Sequence, residues 1–232
     1  MLCHQVLYWC TISDRLLIMN KILNNLPKEI PVFPLSNFII FPKTTVPLNI
    51  FEPRYIEMVD DAMKGNRIIG MIQPRKSNQT IPVLYKVGCA GKIVSFNETE
   101  DGRYLIVLSG ISRFKIIEEL ETPKLYRNFK VDFEDFFYDL DEKREEIKFS
   151  DLKLIFKNLK SLFIKQGYII DWKELEKQTL DQTINTLAMA SPFSLEEKQV
   201  LLETINLNER KKKLEQILST YSFDNFENKT IQ

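Results

Sequence analysis

The chain has 232 residues, 44% of them hydrophobic and 28% charged, and Lys plus Arg equals Asp plus Glu at 32 each. That length can bury one large core or two small ones, and the composition excludes wholesale disorder. The balanced charge excludes a global field that would draw the protein onto nucleic acid or an anionic membrane, so partners must be recognised locally.

Met1 to Ile18 combine aromatics and cysteines with neither a basic leader nor a small-residue cleavage site, which argues against a signal peptide. Met19 begins a polar lead into the first strand, so translation is expected to start there. Residues 1–28 are expected to be an extension, either not native or disordered, and 1–18 to make few stable contacts. Cys3, Cys10 and Cys89 are too few and too scattered for a disulfide framework and point to a reducing, cytoplasmic compartment. His4 is the only histidine, and with Cys3 and Cys10 it lacks a fourth ligand, so no metal site is expected. No apolar run approaches the roughly 20 residues that span a bilayer.

From Ile30 to Tyr55 the chain reads IPVFPLSNFIIFPKTTVPLNIFEPRY, an apolar run punctuated by Pro31, Pro34, Pro42, Pro47 and Pro53. Proline cannot donate to a sheet, so these residues predict short strands with edges and bends, as in a small β-barrel. Pro53 to Lys64 places Ile56, Val59 and Met63 on one face of an amphipathic helix that Gly65 stops. Strands follow over 67–73, 87–97 and 103–109, the last two joined by a tight turn at Asp101-Gly102. Two more span 114–120 and 126–133, where Phe129, Val131 and Phe133 alternate with charged residues.

The β unit is thus expected over 29–137, and an acidic boundary over 138–146. Beyond it lies a helical bundle over 147–221 and a polar tail over 222–232. The bundle has Leu152, Ile155, Phe156, Leu159 and Phe163 on one helical face closed by Gly167, a helix from Asp171, and another over 180–190. Ser194 with Glu197 spells a capping box, and Asn206 with Glu209 a looser version, before a last helix carrying Leu207, Leu214, Ile217, Leu218 and Tyr221.

The run PLSNFIIFPKTTVPLNIFEPRYIEMV, with GCAGKIV at 88–94, DGRYLIVLSGISRF at 101–114 and Glu197-Lys198-Gln199, resembles the N-terminal, substrate-binding domain of Lon-type ATP-dependent proteases over about residues 29–218. The resemblance implies an α+β architecture: a PUA-like small β-barrel domain with one packed helix, followed by an all-α bundle. It further implies that the ATPase and Ser-Lys protease parts of a complete Lon would lie downstream of residue 232.

The residues themselves carry no enzyme signature. A single histidine excludes most nucleophile-histidine arrangements, and Gly91-Lys92-Ile93 lacks the spacing and the Ser or Thr of a phosphate loop. No catalytic residue and no cofactor are expected. Phe33, Leu35, Phe38, Phe41, Leu48 and Phe51 outnumber what a half-buried sheet requires, so some are expected to line an exposed groove, although core packing suits each one singly. Glu52, Arg54 and Tyr55 at the helix start read as a cap with a local ion pair or as ligand anchors.

Arg113 calls for a carboxylate partner within the fold before a ligand, and Phe114 completes its motif. Gly110 permits a bend, Asp101 and Gly102 make a turn, and Lys198 with Gln199 suits packing of the bundle on the β unit. The expectation is a free-standing, non-enzymatic module that binds exposed apolar segments of unfolded or damaged proteins, with a protease partner or self-association supplying further sites. RNA binding through the PUA-like part is the alternative, opposed by the neutral charge and by basic runs as short as Arg75-Lys76 and Arg210 to Lys213. A third reading makes that second run the docking face of an adaptor, against its reading as a solvated helix surface.

Overall fold

A computed structural model describes residues 23, 25–75, 82–140, 152–167 and 171–227, without the side chains of 176 and 222–227. The expectations for residues 1–18, for translation starting at Met19, and for Cys3, His4 and Cys10 fall outside the described residues.

Four short strands and two long ones, β4 and β5, make the sheet: β1 (Glu29–Pro34), β2 (Thr45–Ile50), β3 (Ile68–Ile72), β4 (Val87–Glu98), β5 (Tyr104–Leu120) and β6 (Arg127–Asp132). Helix α1 (Pro53–Lys64) lies between β2 and β3. The sheet order is β2-β5-β4-β3-β1-β6, and β6 also pairs with β5, so five strands close a ring while β2 stays outside it. Because β1 and β3 pair in parallel and β2 is appended, the closure is not a regular barrel. Inside the ring Ile30, Val32, Ile68, Ile72, Phe114, Phe129, Val131 and Phe133 form one buried cluster. Leu23 and Leu26, which the sequence placed in the extension, pack against it, and Lys28 O accepts from Val131 N at 2.9 Å.

The segments expected as separate strands over 103–109 and 114–120 are one 17-residue strand, β5. Gly110 is why it bends without breaking. The register slips between Ala90 and Gly91 opposite this point, and a Cβ on Gly110 would sit 2.2 Å from the Phe41 carbonyl oxygen. Its backbone instead exchanges bonds of 2.8 Å with Lys43 N and Thr44 O. The expected turn joins β4 to β5, with Gly102 at φ 77° and Thr99 N donating to Arg103 O.

Helix α1 starts with Pro53 in its first turn, where a missing N–H costs nothing, and buries Tyr55, Met58, Val59 and Ala62. Ile56 and Met63 of the expected face lie at its margin, partly buried. On its polar side Asp61 accepts from Lys124 Nζ at 2.7 Å and Tyr126 Oη at 3.0 Å. The Lys124 bond, more than any other contact, lowers the Asp61 carboxyl from 3.8 to about 2. A carboxylate with a depressed folded-state pKa contributes stability above its ordinary pKa and loses it as pH falls through the folded value. Asp61→Asn is therefore expected to be less stable than the parent at neutral pH, the gap closing between pH 3.8 and about 2 in urea titrations. A gap independent of pH would contradict this.

The helical half comprises α2 (Lys153–Lys165), α3 (Trp172–Glu176), α4 (Leu180–Ala190), α5 (Leu195–Glu203) and α6 (Leu207–Glu227). Gly167 follows α2 at φ 73°. The Ser194–Glu197 box is formed in both directions, at 3.1 and 2.7 Å. Glu209 N donates to Asn206, while the Glu209 carboxylate reaches back to Ile205 N. Helix α6 continues past Tyr221 into the stretch expected as a polar tail. Leu159, Leu187, Leu201 and Leu214 of this half share one buried cluster with Ile40, Phe41, Met58 and Leu108 of the β half. Among the described residues no helix is long and apolar enough to cross a membrane.

Candidate functional site

Where β1 ends and α1 begins, the two chain segments diverge and leave a cleft of about 290 Å³. Phe33, Leu35, Phe51, Glu52, Arg54 and Tyr55 line it, drawn from both ends of the proline-rich run. Proline explains the separation: Pro34 closes β1, and Pro53 begins α1 directly after β2. The Phe33 and Tyr55 rings meet at 4.3 Å between centroids and form a firm wall, both largely buried. Phe51 is the reverse case, 64% exposed at the mouth.

Arg54 donates to Glu52 Oε2 from Nη2 at 2.7 Å and Nε at 3.0 Å, and its guanidinium lies 4.6 Å over the Tyr55 ring. Burial raises the Tyr55 pKa, which keeps the phenol neutral. The rim is completed by Asn37 and Asn49, which apolar counting alone could not find. An apolar floor, one exposed aromatic and a self-neutralised ion pair suit an apolar side chain flanked by backbone amides.

Phe38, Phe41 and Leu48 lie elsewhere. Phe38 and Leu48 pack half-buried against the main core, and Phe41 is wholly buried beneath the Arg210 guanidinium. The sequence could not separate them from Phe33 and Phe51, since all sit in one apolar run. The basic run at 210–213 likewise loses its first member to the interior. Arg210 is 1% exposed and donates to Leu201 O at 3.0 Å and Asn185 Oδ1 at 2.6 Å.

The motif residues hold the two halves together. Arg113, also 1% exposed, donates to both Asp139 oxygens at 2.8 and 2.9 Å and to the carbonyls of Leu202, Thr204 and Ile205 at the end of α5. Asp139 arrives there on a 3₁₀ turn (Glu134–Asp139), within a stretch that reads in sequence as strand end and acidic boundary. Phe114 fills the space beside Gly70 and Gly88 inside the ring. Gln199 donates to Val87 O of β4 at 3.0 Å, and Lys198, its ammonium disfavoured by burial, donates to Met189 O at 2.8 Å. Asp101 pairs with Arg103 across the exposed hairpin turn.

A closed β unit braced by helices, with a small apolar cleft, defines a β-rich binding module with a helical C-terminal part. Residues 29–220 match the family described as the ATP-dependent protease La (LON) substrate-binding domain, and the chain belongs to that family. It is 27% identical over 201 residues to a Lon protease of Dictyoglomus thermophilum, covering 82% of this chain and 24% of that protein. A Lon protease of Desulfosudis oleivorans is 28% identical over 207 residues, covering 84% and 24%. The chain therefore spans about a quarter of the length of these curated relatives. The crystal structure of a Lon N-terminal domain protein from Xanthomonas campestris shares the fold at a TM-score of 0.58 and 20% identity, over 83% of this chain and 98% of that one. The N-terminal domain of a Mycobacterium avium complex Lon protease does so at 0.57 and 18%, with the same coverage.

Proposed function

We propose that this chain is a non-enzymatic protein-binding module that holds exposed apolar segments of unfolded or damaged proteins in the cleft between β1 and α1. The observation that carries the reading is Phe51, an exposed aromatic beside a built apolar wall of Phe33 and Tyr55. Membership of a substrate-binding family supports it. The module acts in the cytoplasm, and because one apolar contact is weak, it works beside a protease or a second copy that supplies further sites.

Side-chain capture is favoured over strand addition. Among the described strands β2 pairs only with β5, and Gly110 N donating to Thr44 O sets the alternation that turns Pro47 toward the open edge, where it has no N–H to give. Phe51→Ser is expected to weaken binding of a labelled apolar peptide about tenfold by fluorescence anisotropy, the loss of one buried phenyl contact. The melting temperature should not move, because the side chain is exposed. Unchanged affinity would refute the cleft, and affinity for an RNA oligonucleotide that falls steeply with salt would favour nucleic acid instead.

A further inference from the structure

We propose a second binding site, for a peptide segment in which a carboxylate side chain neighbours an apolar one. It is a cleft of about 440 Å³ where β4 and β5 meet the 3₁₀ turn and the end of α5. One wall is cationic by topology. Val87 pairs with Lys115, and Ile116 N donates to Lys86 O, so Lys86, just before β4, lies beside the part of β5 that carries Lys115. Arg75 joins them because its N–H bonds to Val83 O beside the Pro74–Leu84 bridge.

Lys115 is engaged by Asp135 at 3.3 Å. Among the described residues neither Arg75 nor Lys86 has a carboxylate partner; Arg75 lies 5.0 Å over the Tyr85 ring, which leaves its charge available. The far wall differs. Phe136 is buried beneath the Arg113 guanidinium and Ile205 is 56% exposed, giving an apolar ledge. Glu203, the remaining carboxylate of the lining, accepts from Gln199 at 2.8 Å.

Two uncommitted cations facing an apolar ledge complement an anion joined to a hydrophobe. A purely apolar segment would leave the cations desolvated and unmatched, and a bare anion would leave Ile205 uncovered. The site stands apart from the β1–α1 cleft and uses none of its residues, so it can be true or false independently of that reading.

The test is fluorescence anisotropy of a short labelled peptide with glutamates flanking a leucine, against its glutamine counterpart. The Arg75→Glu, Lys86→Glu double variant is expected to bind the acidic peptide at least about tenfold more weakly, and Arg75→Gln, Lys86→Gln to fall between. The parent should bind the glutamine peptide about as weakly as the Arg75→Gln, Lys86→Gln variant binds the acidic one, and Phe51→Ser should bind the acidic peptide normally. Equal binding of the two peptides, or no effect of charge reversal, overturns the proposal. So does loss of the acidic peptide in Phe51→Ser, which would move it to the first cleft. An RNA oligonucleotide that binds more tightly than the peptide and is released by the same reversal overturns it in favour of nucleic acid.

Discussion

Arg113→Ala is expected to destabilise the protein by about 3–5 kcal/mol, read as a shift of the urea midpoint at unchanged slope. The side chain is 1% exposed, so its removal leaves the Asp139 carboxylate buried without its cation. It also strips donors from the carbonyls of Leu202, Thr204 and Ile205, where the negative end of α5 needs them. Arg113→Met combined with Asp139→Asn should recover part of the loss, because neutralising both partners avoids an orphan charge. Amide exchange should accelerate first at residues 202–206 if this clamp fastens the helical half to the sheet. A cost below about 1 kcal/mol would mean that water or another cation replaces the guanidinium readily.

Phe114→Ala is expected to cost a similar amount, about 3–5 kcal/mol, by opening a cavity inside the strand ring. The neighbouring glycines sharpen the test. A Cβ on Gly70 would lie 2.8 Å from Ile30 Cδ1 and 2.9 Å from Phe114 Cζ, both side-chain ends that can yield. A Cβ on Gly88 would lie 2.5 Å from the Met71 carbonyl oxygen as well as 2.6 Å from Phe114, and backbone cannot yield. Gly88→Ala should therefore destabilise more than Gly70→Ala, each within the range of about 1–3 kcal/mol for overpacking. A Phe114→Leu background should relieve Gly70→Ala but not Gly88→Ala in a double-mutant cycle. Equal relief of both would show that the β3 backbone is softer than these contacts require.

Local chemistry makes most of the elements legible in the sequence. Pro53 and Gly65 bracket α1, Asp101-Gly102 turns the hairpin, and Ser194 with Glu197 caps α5. Each of these signals acts over four residues or fewer, or repeats with the period of one helix or strand, and so survives in the linear text. The β5 strand reads in sequence as two pieces because Gly110 looks the same there whether it ends a strand or admits a bulge.

The cleft was half legible for the same reason. Composition revealed a surplus of aromatics between Phe33 and Phe51, yet exposure depends on what arrives from elsewhere in the chain. Phe41 is wholly buried because Arg210 lies over it from α6, and Phe51 stays open because none of the described residues covers it.

The sequence by itself determined most of the element types, the family and the need of Arg113 for a carboxylate partner within the fold. Only the tertiary structure decided that this carboxylate is Asp139 and that the partner carbonyls come from α5. The physical reason is that capping, turns and periodicity are short-range preferences. Burial, ion pairing and the closing of a strand ring join residues far apart in the chain, and only the packed chain sets which of them meet.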